Sequence, residues 1–278
     1  MLLPQLMIVI ASSSSAPPKS TGGSTLGTHS QAPYDGAPHY VLGTEMSASK
    51  RPDLSCCIFA TGCFWGTEKG FWRLPGVYST AVGYAQGTTD DPTYAQICQG
   101  ETNHAEVVQV LWDPAVLSFV DLLGYFWSCH DPTQGDAQGE DEGTQYRSGI
   151  YYCTEEQRQL AVASRRAYQA ALQASAASPN LESSAHDRPI TTEIEPLHKF
   201  YFAEDYHQQY LAKPGNRPYC SAEPTGVPLP PPSEWMPSEL KGSYAPKLSQ
   251  AFWAEHGPSV GQRHCNLRAP NEQIVWRE

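Results

Sequence analysis

The chain is 278 residues long, 40% hydrophobic and 17% charged, with 18 basic residues against 29 acidic and a formal net charge of −11. That acidity argues against a nucleic-acid or anionic-membrane binder, and the length buries a core without disulfide stapling. Eight cysteines are too dilute for a small secreted disulfide scaffold. Proline sorts the chain further: residues 1–52 hold six, residues 53–213 seven and residues 214–278 eleven. The middle is therefore expected to be the folded domain and both ends extended chain.

In chain order, the apolar run ending at Ala11 is too short to span a bilayer. No Lys or Arg precedes it; the first basic residue is Lys19 and the first acidic one Asp35. Residues 1–50 read as a disordered or targeting extension. Cys56 to Thr61 reads as a buried strand broken by Gly62, and a helix from Phe64 to Leu74 stops at Pro75-Gly76. Val77 to Tyr84 is a second strand, residues 86–103 a polar, turn-rich stretch, and His104 to Trp112 a third strand closed by Asp113-Pro114. Apolar residues at helical spacing make 118–129 an amphipathic helix. Residues 130–145 read as a loop and Gly149 to Cys153 as a strand. Thr154 with Gln157 suggests a capping box opening a helix to about Ser175. A loop over 178–188, a strand from Ile190 to Ile194 and a helical turn or two over Asp205 to Leu211 follow. Strands alternating with helices through tight links predict an α+β fold, a two-layer sandwich with a ferredoxin-like core and an extended C-terminal coil. No segment reaches membrane-spanning length.

Gly62-Cys63-Phe64-Trp65-Gly66 is the sharpest motif. It falls where a strand turns into a helix, and free amides at a helix N-terminus favour a thiolate and so a lowered cysteine pKa. Phe64 and Trp65 can wall a small apolar group. In the third strand Glu106 interrupts an apolar run between Ala105 and Val107; a carboxyl desolvated there becomes a general acid near neutrality. His104-Ala105-Glu106 also matches half of a zinc deaminase signature, but the chain contains no Cys-X-X-Cys to complete it. Asp141 to Ser148 is an acidic, glycine-bearing loop followed by Tyr146 and Arg147, able to present polar groups at a pocket mouth.

Together these segments resemble the A-type peptide-methionine sulfoxide reductases over roughly residues 54–232. The resemblance rests on Gly62 to Gly66, Gly83-Tyr84, Pro92-Thr93-Tyr94, His104 to Val108, Asp141 to Ser148, and Asp205-Tyr206-His207-Gln208-Gln209-Tyr210-Leu211. It implies that Cys63 attacks the sulfoxide sulfur, Glu106 protonates the oxygen, and Tyr94 and Tyr146 hold that oxygen. It further implies that Phe64 and Trp65 receive the S-methyl group and Asp141 orients the substrate backbone. The product pair would be methionine and a Cys63 sulfenic acid, which a second thiol condenses with. Cys220, in Arg217-Pro218-Tyr219-Cys220, matches the family's resolving position, and its Pro- and Gly-rich surroundings would give it mobility to reach Cys63. Where many relatives carry a further cysteine, Pro228 stands; Cys265 is the alternative resolving thiol. Cys56, Cys57, Cys98, Cys129 and Cys153 read as buried or incidental.

The implied substrates are free and protein-bound methionine S-sulfoxide, with thioredoxin as reductant. No metal or organic cofactor is expected, no Gly-X-Gly-X-X-Gly fingerprint appears, and a cytoplasmic monomer is expected, with plastid or mitochondrial delivery as the alternative. Two other readings remain: a Cys-His acyl hydrolase using Cys63 with His104 or His207, and a non-catalytic binder of oxidised methionine. The catalytic unit is expected over 51–232. Residues 233–278, with Trp235, Trp253 and Trp276, form a Pro-rich tail read as loosely ordered.

Overall fold

The structure, a computed structural model, describes residues 30–31, 36–47, 51–176, 187–257 and 267–276. Expectations for the first 29 residues and for Cys265 lie outside the described residues.

The elements run β1 (Ser30–Gln31), β2 (Ser55–Thr61), α1 (Phe64–Trp72), β3 (Val77–Ala85), α2 (Tyr94–Cys98), β4 (Ala105–Trp112) and α3 (Phe119–Ser128). They continue with β5 (Ala137–Gln138), β6 (Asp141–Glu142), β7 (Ser148–Tyr152), α4 (Glu155–Ala176), β8 (Glu193–Pro196), β9 (Lys199–Phe202), α5 (Pro232–Trp235) and α6 (Gln250–His256). The main sheet has the order β1-β9-β3-β4-β2-β7-β8. Its centre, β2-α1-β3-β4-α3-β7, is a split βαβ arrangement with strands ordered β3-β4-β2-β7, each pair antiparallel. This is the expected ferredoxin-like α+β core, with β1, β9 and β8 added at its edges.

Strand periodicity explains the layers. On β4, Val108, Val110 and Trp112 enter the cluster beneath the helices, while Ala105 and Val107 enter a smaller cluster on the other face. Glu106 shares the parity of Val108, so it points into the helix layer. Both faces are covered, and every residue of β4 is buried, which is why this strand reads as an almost unbroken apolar run.

Several boundaries moved. The last edge strands lie at 193–196 and 199–202 rather than 190–194, because pairing to β7 and β3 sets their register. The expected helix over Asp205 to Leu211 is a set of turns ending in one 3-10 turn at Tyr210–Ala212, since Gln209 is left-handed at φ 46° and breaks the helical path. Residues 130–145 are not only loop: β5 and β6 form a two-stranded hairpin there. Only half of the predicted capping box forms. Thr154 Oγ1 accepts from the Gln157 amide at 3.3 Å, but the Gln157 side chain accepts from Cys153 N instead.

The tail packs against the domain rather than trailing from it. Met236, Leu240, Leu248 and Phe252 join the main core beside α3 and α4, with Phe252 fully buried. The Asp121 carboxylate accepts the amides of Lys247 and Leu248, and Ser118 Oγ donates to Tyr244 O. Proline-rich chain cannot form long ladders, yet its apolar side chains still bury area, and that is what orders it. At the other end, His39 and Met46 are buried against the sheet; His39 Nε2 lies 2.9 Å from Thr80 Oγ1.

Candidate active site

Gly62, at φ +93°, turns the chain from β2 into α1, and a side chain there would strike Gln138. Cys63 follows as the N-cap of α1, with Thr67 Oγ1 donating to its carbonyl at 3.2 Å. The nucleophile candidate thus sits at the mouth of a helix whose other end packs into the core. Cys63, Phe64, Trp65, Tyr94, Glu106, Asp141 and Tyr146 all line one cavity of about 330 Å³. Every residue expected at the pocket from the sequence is therefore in it. Tyr210, Arg217 and Tyr219, given no role from sequence, complete its wall.

Glu106 is fully enclosed. Burial raises its pKa to about 8, only partly offset by the Phe64 amide that donates to Oε2 at 3.1 Å. Near neutrality it is mostly protonated. The expectation for Cys63 is corrected. Burial pushes its thiol well above the ordinary value, Glu106 adds to the rise, and the helix-end amide of Trp65 only partly offsets them. Desolvation outweighs the helix end because the group is enclosed. The resting residue is a thiol. Burial and the neighbouring Glu106 push the phenols of Tyr94 and Tyr146 up too, so both keep their protons as donors.

The aromatic wall is held from behind. Trp65 stacks on Tyr210 with ring centroids 3.7 Å apart and an interplanar angle of 7°. Its indole N–H donates to His207 Nδ1 at 3.1 Å. Tyr94 is placed by Glu204, which accepts its backbone amide and the Tyr84 hydroxyl, each at 2.9 Å. Asp141 sits on β6, whose hairpin is tied by Gln138 Oε1 to the chain before it, accepting from Asp131 N, and to the chain beyond it, accepting from Glu223 N. Tyr219 O–H donates to Asp141 Oδ1 at 2.6 Å, while the buried Oδ2 has no partner. A buried acceptor left open at a cavity wall is suited to a ligand N–H.

Cys220 is buried against the first turn of α1, where a Cβ on Gly66 would collide with its Sγ. Gly66 lies one helical turn from Cys63, and the Cys220 thiol contributes to the field at Cys63. The resolving candidate is thus already beside the nucleophile, not held at a distance on a mobile arm. The cavity wall contains neither His104 nor His207, the bases a Cys-His hydrolase would need. Among the described residues, no group of three or more His, Cys, Asp or Glu side chains is placed to hold a metal ion.

The family model described as peptide methionine sulfoxide reductase matches residues 55–227. The chain belongs to the peptide methionine sulfoxide reductase family.

Among curated relatives, the peptide methionine sulfoxide reductase MsrA of Photobacterium profundum is 50% identical over 190 residues, 68% of this chain and 85% of that one. MsrA 1 of Synechocystis is 52% identical over 192 residues, covering 69% and 82%. Among solved structures, methionine sulfoxide reductase A of Corynebacterium diphtheriae matches with a TM-score of 0.55 at 38% identity, covering 69% of this chain and 94% of that one. The reduced form of Mxr1 from Saccharomyces cerevisiae matches with a TM-score of 0.52 at 33% identity, covering 63% and 92%. As a peptide methionine sulfoxide reductase, the protein is a thiol-dependent oxidoreductase acting on methionine sulfoxide. Of the residues missed from sequence, Tyr210, Arg217 and Tyr219 line the reductase cavity itself, while Glu204 and Gln138 hold its walls from behind. Arg217 and Tyr219 lie within the three residues before Cys220, so their nearness to the resolving candidate was the available signal. Glu204 and Gln138 gave none, because Tyr84 and Tyr94 for the one and Glu223 for the other lie far away in sequence.

Proposed function

We propose that Cys63 is the nucleophile and Glu106 the general acid in reduction of the S epimer of methionine sulfoxide, free or in proteins. The sulfur of Cys63 attacks the sulfoxide sulfur as Glu106 gives its proton to the oxygen, with Tyr94 and Tyr146 donating hydrogen bonds to that oxygen. The thiol proton passes to the Glu106 carboxylate. Oxygen ends on Cys63 as a sulfenic acid, and methionine leaves. Cys220 then attacks the sulfenic sulfur, releasing water and forming a Cys63–Cys220 disulfide. A thioredoxin dithiol reduces this bridge by exchange. Phe64 and Trp65 receive the S-methyl group, and Asp141 Oδ2 accepts a substrate N–H.

The observation that carries this reading is the convergence of a protonated buried carboxyl, an enclosed thiol and a second thiol on one short helix. The catalytic unit spans 51–232. A cysteine set used for exchange rather than for permanent bridges suits a reducing compartment such as the cytoplasm. Among the described residues no helix is long and apolar enough to cross a membrane. The test is turnover of S-sulfoxide with dithiothreitol and with thioredoxin. Cys63→Ser should abolish both, while Cys220→Ser should keep one turnover per enzyme and lose recycling by thioredoxin. Full activity in Cys63→Ser would sink the assignment.

A further inference from the structure

A second pair of thiols lies at the opposite end of β2 from Cys63. Strands β2 and β7 pair antiparallel with Ile58 opposite Tyr151. The same register carried two residues further sets Cys56 opposite Cys153. Cys153 belongs to the small cluster on the sheet face away from the helices, with Ile58 and Tyr151, and Cys56 packs against it. The two backbones are clipped together there by one side chain: Gln157 Nε2 donates to Cys56 O at 2.9 Å and Gln157 Oε1 accepts from Cys153 N at 2.7 Å. The two thiols themselves share a hydrogen bond. Cys153 is buried, and Cys56 is half-buried, so one member is within reach of a small solute.

We propose that Cys56 and Cys153 form a dithiol–disulfide couple, separate from the catalytic thiols, that takes a two-electron oxidant of the peroxide class. Directly opposed residues of an antiparallel pair lie about 4.5–5.5 Å apart at Cα, within the about 4.4–6.8 Å that a disulfide spans. The hydrogen bond to Cys153 and burial hold Cys56 as a protonated thiol; its sulfur attacks one peroxide oxygen as its proton passes to the departing hydroxide, giving a sulfenic acid and water. Cys153 then attacks that sulfur, giving the disulfide and a second water, so two electrons leave the thiols and reduce one peroxide. A shared hydrogen bond holds the second sulfur against the first, the arrangement the condensation needs. The bridge would tie β2, the strand that delivers Cys63, to its neighbour β7.

The test uses the full chain carrying Cys57→Ala and Cys63→Ser, which removes the adjacent thiol and the catalytic nucleophile. After hydrogen peroxide, non-reducing tryptic digestion and mass spectrometry should show the peptide holding Cys56 joined to that holding Cys153. The joined species should be two hydrogens lighter than its parts and separate with dithiothreitol. Adding Cys56→Ser should remove the linkage. The same linkage, located by fragmentation in the unsubstituted chain, guards against a folding defect in the variants. If both thiols stay open to alkylation after peroxide, or Cys153 links elsewhere, the proposal is wrong.

Discussion

A carboxyl enclosed on a central strand is expensive as a charge and cheap as an acid, and Glu106 has settled on the acid. Its pKa near 8 has two opposite consequences. Glu106→Gln removes the proton donor and should lower kcat/KM by about 10²- to 10⁴-fold, read in single-turnover kinetics with substrate in excess. For stability the sign runs the other way. Folding raises this pKa from 4.5 to about 8, so its contribution is fully present below 4.5 and lost as pH rises through 8. Glu68, raised to about 7 by burial on α1, acts in the same direction. Thermal midpoints of the unsubstituted protein should therefore fall between pH 6 and pH 9, and Glu106→Gln should flatten part of that fall. A parallel slope for the two proteins would contradict this origin. The sequence showed Glu106 as a polar break in an apolar strand, which was enough to suspect it. It did not show the thiol's true state, because the helix-end argument carried no information about how tightly Cys63 is enclosed.

At the scale of elements, α1 organises the chemistry. Its N-cap is Cys63, the glycine of its first turn receives Cys220, and its C-terminal end is held by the tail. Gln273 Nε2 lies within hydrogen-bond distance of Trp72 O, Leu74 O and Val77 O, at 3.3, 3.0 and 2.8 Å. Ile274 N donates to Arg73 O, and Trp72 Nε1 donates to Asn271 O. The last carbonyls of a helix have no partner within it, so the tail supplies a cap that the sequence around Pro75 lacks. Gln273→Ala should cost about 1–3 kcal/mol in denaturant unfolding, with a change in midpoint and none in slope. Gly66→Ala would drive a methyl into Cys220 Sγ; thioredoxin-coupled turnover should drop while the first turnover with excess sulfoxide is largely kept. If both fall together, Gly66 serves the helix rather than the second thiol. The long strands and helices over 55–176 were readable because period and punctuation agree there, whereas the five-residue α2 at 94–98 and the two-residue strands β5 and β6 fell in stretches read as turn or loop, being too short to show a period. The cap at 271–274 was not, since a lone glutamine two hundred residues from its partners leaves no periodic trace.

For the whole molecule, the main revision concerns the ends. Proline counts suggested a rigid middle with loose flanks, but proline content measures missing ladder donors, not missing contacts. Phe252 is fully buried against Trp253, His256 and Trp276 rings and joins the core shared with α3. Phe252→Ala should lower global stability by about 3–5 kcal/mol, as large as a substitution in the catalytic core. A loss below 1 kcal/mol would mean the tail unfolds independently. The family match ends at 227, so this buttress lies outside the matched region and was invisible to resemblance. The two-layer architecture, by contrast, followed from the order of strands and helices, which leaves few right-handed arrangements for a βαββαβ core.

The contact between Gly66 and Cys220 also sets a clock. A sulfenic acid exposed to oxidant competes between condensation with a nearby thiol and further, irreversible oxidation. With the partner sulfur already seated one turn along the same helix, the oxidised intermediate should be short-lived. Dimedone added during turnover should label almost none of the unsubstituted protein, yet nearly all of Cys220→Ser. An enzyme whose substrate is itself a product of oxidative damage would thereby shorten its own exposure to the same damage.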